Sequence, residues 1–212
     1  MRCPAVRNGL VRGAGLFASL ACAGCLAIPP MQATLGPAYS GGGDRAPLPT
    51  LQVSGVARPL GLFRELGDRR FDVGVGVFGQ YRALSLQGPL GPGIVGPTVE
   101  FDAYPHVEGN ADGQLRLTTG MALRGLYDEA HDAWGAAAGY RLGLEAATFA
   151  SGCGGEASRS GLFVACGEGE AGLGAYGDAT FGYVDGHAHY AFGLSLGLRI
   201  PGSIVGGVPF DW

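Results

Sequence analysis

The chain contains no lysine: all 14 basic residues among its 212 are arginine. Charge of either sign is scarce at 15%, and the balance is acidic, −4. A chain without a basic stripe gives a phosphate backbone nothing to hold, which excludes nucleic-acid binding. So little charge also excludes disorder driven by self-repulsion. Cysteine is sparse, and three of its five occurrences (Cys3, Cys22 and Cys25) crowd into the first 25 residues. Glycine is the residue in excess, with 41 occurrences against a usual share of about 7%. It follows no Gly-X-Y period, so a collagen helix is excluded as well.

Residues 1–25 read as an export signal. Arg2, Arg7 and Arg12 form a positive start, and Gly13 to Ile28 is an uncharged, Gly/Ala-rich apolar stretch. That stretch is shorter than the roughly 20 residues a spanning helix needs. Ala23-Gly24-Cys25 resembles the end of a bacterial lipobox, which would make Cys25 the site of lipid attachment. Cys22 departs from that pattern, where leucine is usual, and ordinary cleavage near Ala33 is the alternative. Residues 26–50 are rich in Pro, Gly and small residues and read as a flexible linker. Export implies an oxidising compartment, so the remaining cysteines, Cys153 and Cys166, are expected to pair as a disulfide. A metal there would have only Glu156 and Glu168 near in sequence.

Beyond residue 70 the sequence alternates with period two, the mark of strands. Six segments show it: 71–83, 98–108, 114–128, 133–149, 170–184 and 187–200. In the last, Ala188, Tyr190, Phe192, Leu194, Leu196, Leu198 and Ile200 oppose His187, His189, Ser195, Gly197 and Arg199. Every charged residue in the six segments falls on one face. That face carries Arg82, Glu100, Asp102, Arg116, Arg124, Arg141, Glu145, Asp178 and Arg199, with Asp72, Glu108, Asp128 and Glu170 beside them. Two weaker candidates, Leu51–Arg58 and Ile204–Trp212, bring the strand count to eight.

The apolar sets run six to eight positions, close to the ~9–11 residues of a membrane-spanning strand, and the charged face is loaded with glycine. Glycine weakens a water-facing strand, but inside a narrow barrel it makes room for long Arg and Glu side chains. A soluble β-domain, periplasmic or lipid-anchored, is the alternative: it would bury the apolar face and wet the charged one. Alternation, strand count and the terminal aromatic Trp212 together resemble the small eight-stranded bacterial outer-membrane β-barrel proteins. The resemblance implies an all-β, up-and-down antiparallel transmembrane barrel over residues 51–212. It implies lipid as its surroundings, and recognition of the C-terminal strand by the outer-membrane assembly machinery. With the first strand at residue 51 entering from the periplasm, connections 85–97, 129–132 and 185–186 fall inside, and 150–168 becomes a long outer loop.

Little here points to a reaction or a cofactor. Two G-x-G-x-x-G runs, 74–79 and 172–177, lie inside alternating segments with no helical period after them, whereas a dinucleotide site needs a helix there. His187 and His189 share one face, but a metal would need a third ligand such as His106 or Glu170. Lipid A-modifying outer-membrane barrels of one family carry H-x-S on a strand; His187-Ala188-His189 lacks the serine. The function expected is therefore structural or surface-interacting, with no open pore, and a lipid-modifying enzyme is the further alternative. The charged set is expected to be an interior polar network, since charges inside a narrow barrel must pair or stay hydrated.

Overall fold

The computed structural model describes residues 25–42, 45–62, 70–82, 93–110, 113–158 and 161–208. The strands are β1 (Cys25–Ile28), β2 (Met31–Gly42), β3 (Arg45–Ala57), β4 (Phe71–Arg82) and β5 (Gly93–Asn110). They continue with β6 (Gly113–Asp128), β7 (Ala133–Ser158), β8 (Gly161–Val184), β9 (His187–Ile200) and β10 (Gly202–Val208). From β2 to β9 each strand pairs antiparallel with the next, and β9 pairs back onto β2 from Met31↔Ile200 to Gly41↔Tyr190. The result is a closed, eight-stranded, up-and-down barrel.

Its eight strands differ from those the alternation singles out. The segment expected as a linker, 26–50, supplies β2 and the start of β3, paired from Met31↔Ala57 to Gly42↔Arg45. Burial alternates along β2, with Gln32, Thr34, Gly36 and Ala38 inward. None of these is charged, so the contrast that marks the other strands is missing. At the far end, Ile204–Trp212 does not close the ring. β10 pairs instead with β8 and with β1, and residues 209–212 lie outside the described residues, as does the export signal up to residue 24. The closing strand is β9.

Local chemistry shapes two strands visibly. In β5 the register with β6 shifts by one residue between Ala103 and His106, where Pro105 has no N–H to give the ladder. A bulge is where a strand tolerates proline. Beyond it, His106 pairs with Leu117 and Glu108 with Leu115, and both His106 and Glu108 are exposed. The expectation that Glu108 shares the interior is corrected by this bulge. The turn between β8 and β9 is Asp185-Gly186, with φ of 53° and 74°, the left-handed pair that a two-residue hairpin favours.

The segment 150–168, expected as a loop, continues the β7–β8 ladder without a break from Gly135↔Val184 to Ser158↔Gly161. Beyond the ring it joins β10 (Leu162↔Val208 to Glu168↔Gly202) and then β1. A four-stranded extension, β7-β8-β10-β1, thus stands on one end of the barrel. The chain enters the ring at Met31 and leaves it at Ile200 on that same end. The strand ends Gly42 and Arg45, Arg82 and Gly93, Asp128 and Ala133, and Val184 and His187 lie at the opposite, turn end. The added strand β2 shifts the parity by one. The turns at 129–132 and 185–186 therefore lie opposite the end where the chain enters, not beside it.

Candidate functional site

The outer surface of the ring is apolar. Leu194 and Leu196 are 70% and 72% exposed, and Phe71, Leu123, Trp134, Leu173 and Tyr183 are similarly bare. Their strand neighbours of opposite parity point inward: Asp72, Arg124, Glu145, Asp178 and Arg199 are all buried. A soluble β-domain would have these two faces exchanged.

Inside, a belt of arginines and carboxylates fills the half of the barrel nearer the extension. Arg58 reaches Glu100 at 2.9 Å and Asp102 at 2.6 Å. Arg141 links the same Glu100 (2.9 Å) to Asp178 (3.0 Å). Arg116 holds Glu145 and Glu170 at 2.9 and 3.0 Å. Arg199 joins Asp72 (3.1 Å), Glu145 (3.0 Å) and Glu170 (2.7 Å). Two tyrosines brace the belt: Tyr104 accepts a hydrogen bond from Arg199 and lies under Arg116, while Tyr176 accepts one from Gln32 and donates to Glu145. Asp72, which also lies 3.6 Å from Arg58, links the two sets through shared carboxylates into one network, the condition under which buried charge is tolerated.

Inward glycines make the room. A Cβ on Gly120 would collide with the Asp102 carboxylate, one on Gly139 would sit 3.0 Å from the Arg124 guanidinium, and one on Gly197 would meet the Tyr176 ring at 2.6 Å.

Of the interior residues expected from sequence, Glu100, Asp102, Arg116, Arg141, Glu145, Asp178 and Arg199 come together in the belt. Arg124 lies one step beyond, hydrogen-bonded to Thr180 and stacked on the Phe78 ring. Below it Phe78, Leu126, Ala137 and Val184 form an apolar floor. Arg82 stands apart from the belt. It is half-buried and lines a vestibule of about 290 Å³ at the turn end, with Gln80, Asp128, His131, Asp185, His187 and His189.

Sequence reasoning missed Arg58, Tyr104, Tyr176 and Gln32 as members of the network. Arg58 does carry a sequence signal: it ends the expected strand Leu51–Arg58 on the parity of Gln52 and Ser54, and all three are buried. Gln32 carries none, since its strand has the composition of a linker.

Both glycine motifs lie within strands, β4 and β8, and neither opens the helix that a dinucleotide site needs. His187 is exposed, and His189 is hydrogen-bonded to Gln80 at 3.1 Å. Among the described residues no group of three or more His, Cys, Asp or Glu side chains is placed to hold a metal ion.

A closed antiparallel ring leaves no strand edge unpaired in hydrocarbon, which is the condition for crossing a bilayer with strands. With an apolar exterior and a charged, filled interior, this chain is a transmembrane β-barrel of the outer-membrane type. No protein-family model and no curated sequence matches it. Among solved structures it is similar to two of Ail, the attachment invasion locus protein of Yersinia pestis. One shares 10% identity over 82% of this chain and 99% of that one, with a TM-score of 0.35. The other, in complex with the heparin analogue sucrose octasulfate, shares 10% over 81% and 98%, with a TM-score of 0.32.

Proposed function

We propose that the protein is a non-conducting outer-membrane barrel with a structural or surface-interaction role. The observation that carries this reading is the ion-pair belt with its apolar floor. An eight-stranded barrel is just wide enough for side chains to fill, and here Arg58, Arg116, Arg141 and Arg199 with their carboxylates do so. Cys25 opens β1 and is the residue that lipid attachment would modify. Recognition by the assembly machinery falls on the closing strand, which in this fold is β9.

The end bearing the extension faces the periplasm in this reading. Assembly from that side then pushes only the turn-end connections through the bilayer, two of them just two residues long, instead of both chain crossings and a long hairpin. Outer-membrane barrels more often carry their long connections outside, but the crossings of the chain weigh more than that habit. The vestibule then opens outward. The carrying observation is tested by reconstituting the purified full chain in planar bilayers. Stable ion-conducting steps from the folded protein would overturn a filled interior; a silent bilayer with protein verified as inserted is the expected result.

A further inference from the structure

We propose that Cys153 and Cys166 form a cross-strand disulfide that fastens the four-stranded extension. The two are direct register partners in the β7–β8 ladder. Directly opposed residues of an antiparallel pair have Cα atoms about 4.5–5.5 Å apart, within the roughly 4.4–6.8 Å that a disulfide spans. The register therefore meets the distance requirement of the bond. The same row continues from Cys166 to Ile204 of β10 and from Ile204 to Ala27 of β1. The bond would therefore lie on a row where all four strands of the extension meet, and it would fix the edge of β8 on which β10 and β1 dock.

Cys25 does not compete. It pairs with Gly206, and Gly206 with Val164, which places it two strands and two residues from Cys166. At about 4.8 Å per strand and 3.3 Å per residue, the separation is roughly 11–12 Å, whereas bridging fails beyond about 7 Å.

The bond forms by exchange with a disulfide donor in the compartment that receives the exported chain. One cysteine thiolate attacks the donor disulfide and expels a donor thiolate. The second cysteine then displaces the remaining donor sulfur, leaving one Cys153–Cys166 bond and a donor reduced to its dithiol. Two protons and two electrons leave the pair, and the donor accepts the electrons. The inference rests on export, which the barrel reading shares, but not on the bilayer surrounding the ring.

The test alkylates the full chain, expressed with its leader, at the moment of lysis and maps its peptides without reductant. The expected result is a Cys153 peptide linked to a Cys166 peptide, with both alkylating only after dithiothreitol. The double variant Cys153→Ser/Cys166→Ser is expected to keep the gel mobility of a folded barrel while residues 150–168 become several-fold more sensitive to protease. Both thiols alkylated in the unreduced protein, or Cys25 linked to either, would overturn the proposal. Linked peptides recovered from a wholly soluble protein would uphold the bond and overturn the membrane reading instead.

Discussion

Arg199 shows why the interior cations are arginines. Its guanidinium reaches Asp72, Glu145 and Glu170 as well as the Tyr104 hydroxyl, a fan of directions that a compact ammonium with three donors does not reproduce. Replacing it by alanine leaves three buried carboxylates short of a partner, a change that costs about 3–5 kcal/mol. Arg199→Ala is therefore expected to lower the urea midpoint at which folded-barrel gel mobility is lost, while Arg70→Ala, on an exposed residue, leaves it in place. An unchanged midpoint for Arg199→Ala would mean that the belt adds nothing to stability. Most of this belt was legible from residue type and parity alone, because a charge on a strand is conspicuous. Tyr104 and Tyr176 share the parity of the charged face, but a phenol carries no charge to mark it as a partner of the belt. Glu108 was misplaced because a one-residue bulge leaves no trace in a period-two count beyond Pro105 itself.

At the scale of the element, legibility followed contrast. β9 alternates leucine, phenylalanine and isoleucine against glycine, serine and arginine, and it reads from sequence as it folds. β2 presents Gln32, Thr34, Gly36 and Ala38 to the interior, and so passed for linker. The hairpin beyond Ala147 is so rich in glycine and small residues that it passed for a loop. What identifies both is pairing, β2 with β3 and β9 and the hairpin with itself and β10, and pairing is not written in one strand's own sequence. The closing strand is also where the lipid face is best tested. Leu194 projects outward from the middle of β9, and an arginine at mid-bilayer costs about 2–4 kcal/mol. Leu194→Arg should thus abolish heat-modifiable mobility and leave the chain degraded or aggregated. A soluble, well-folded Leu194→Arg protein would show that this face meets water.

For the whole molecule, strand parity decides what each end of the barrel meets. Introduced cysteines at Glu129, in the turn between β6 and β7, and at Glu108, beyond the bulge on the opposite end, are both exposed positions. On intact cells a membrane-impermeant maleimide is expected to label Glu129→Cys, and Glu108→Cys only after the outer membrane is breached. The reverse pattern would turn the barrel over and put the extension outside the cell.

Whichever way it points, β7 and β8 run 26 and 24 residues without interruption, roughly 80 Å each at the rise of a strand. The same two strands form part of the barrel wall and the spine of the extension. No hinge separates lever from fulcrum, so a sideways load on the sheet bends the wall of the ring directly. β8 is thus one unbroken backbone path from the extension to Asp178 and Thr180, and Thr180 holds the arginine that stacks on Phe78.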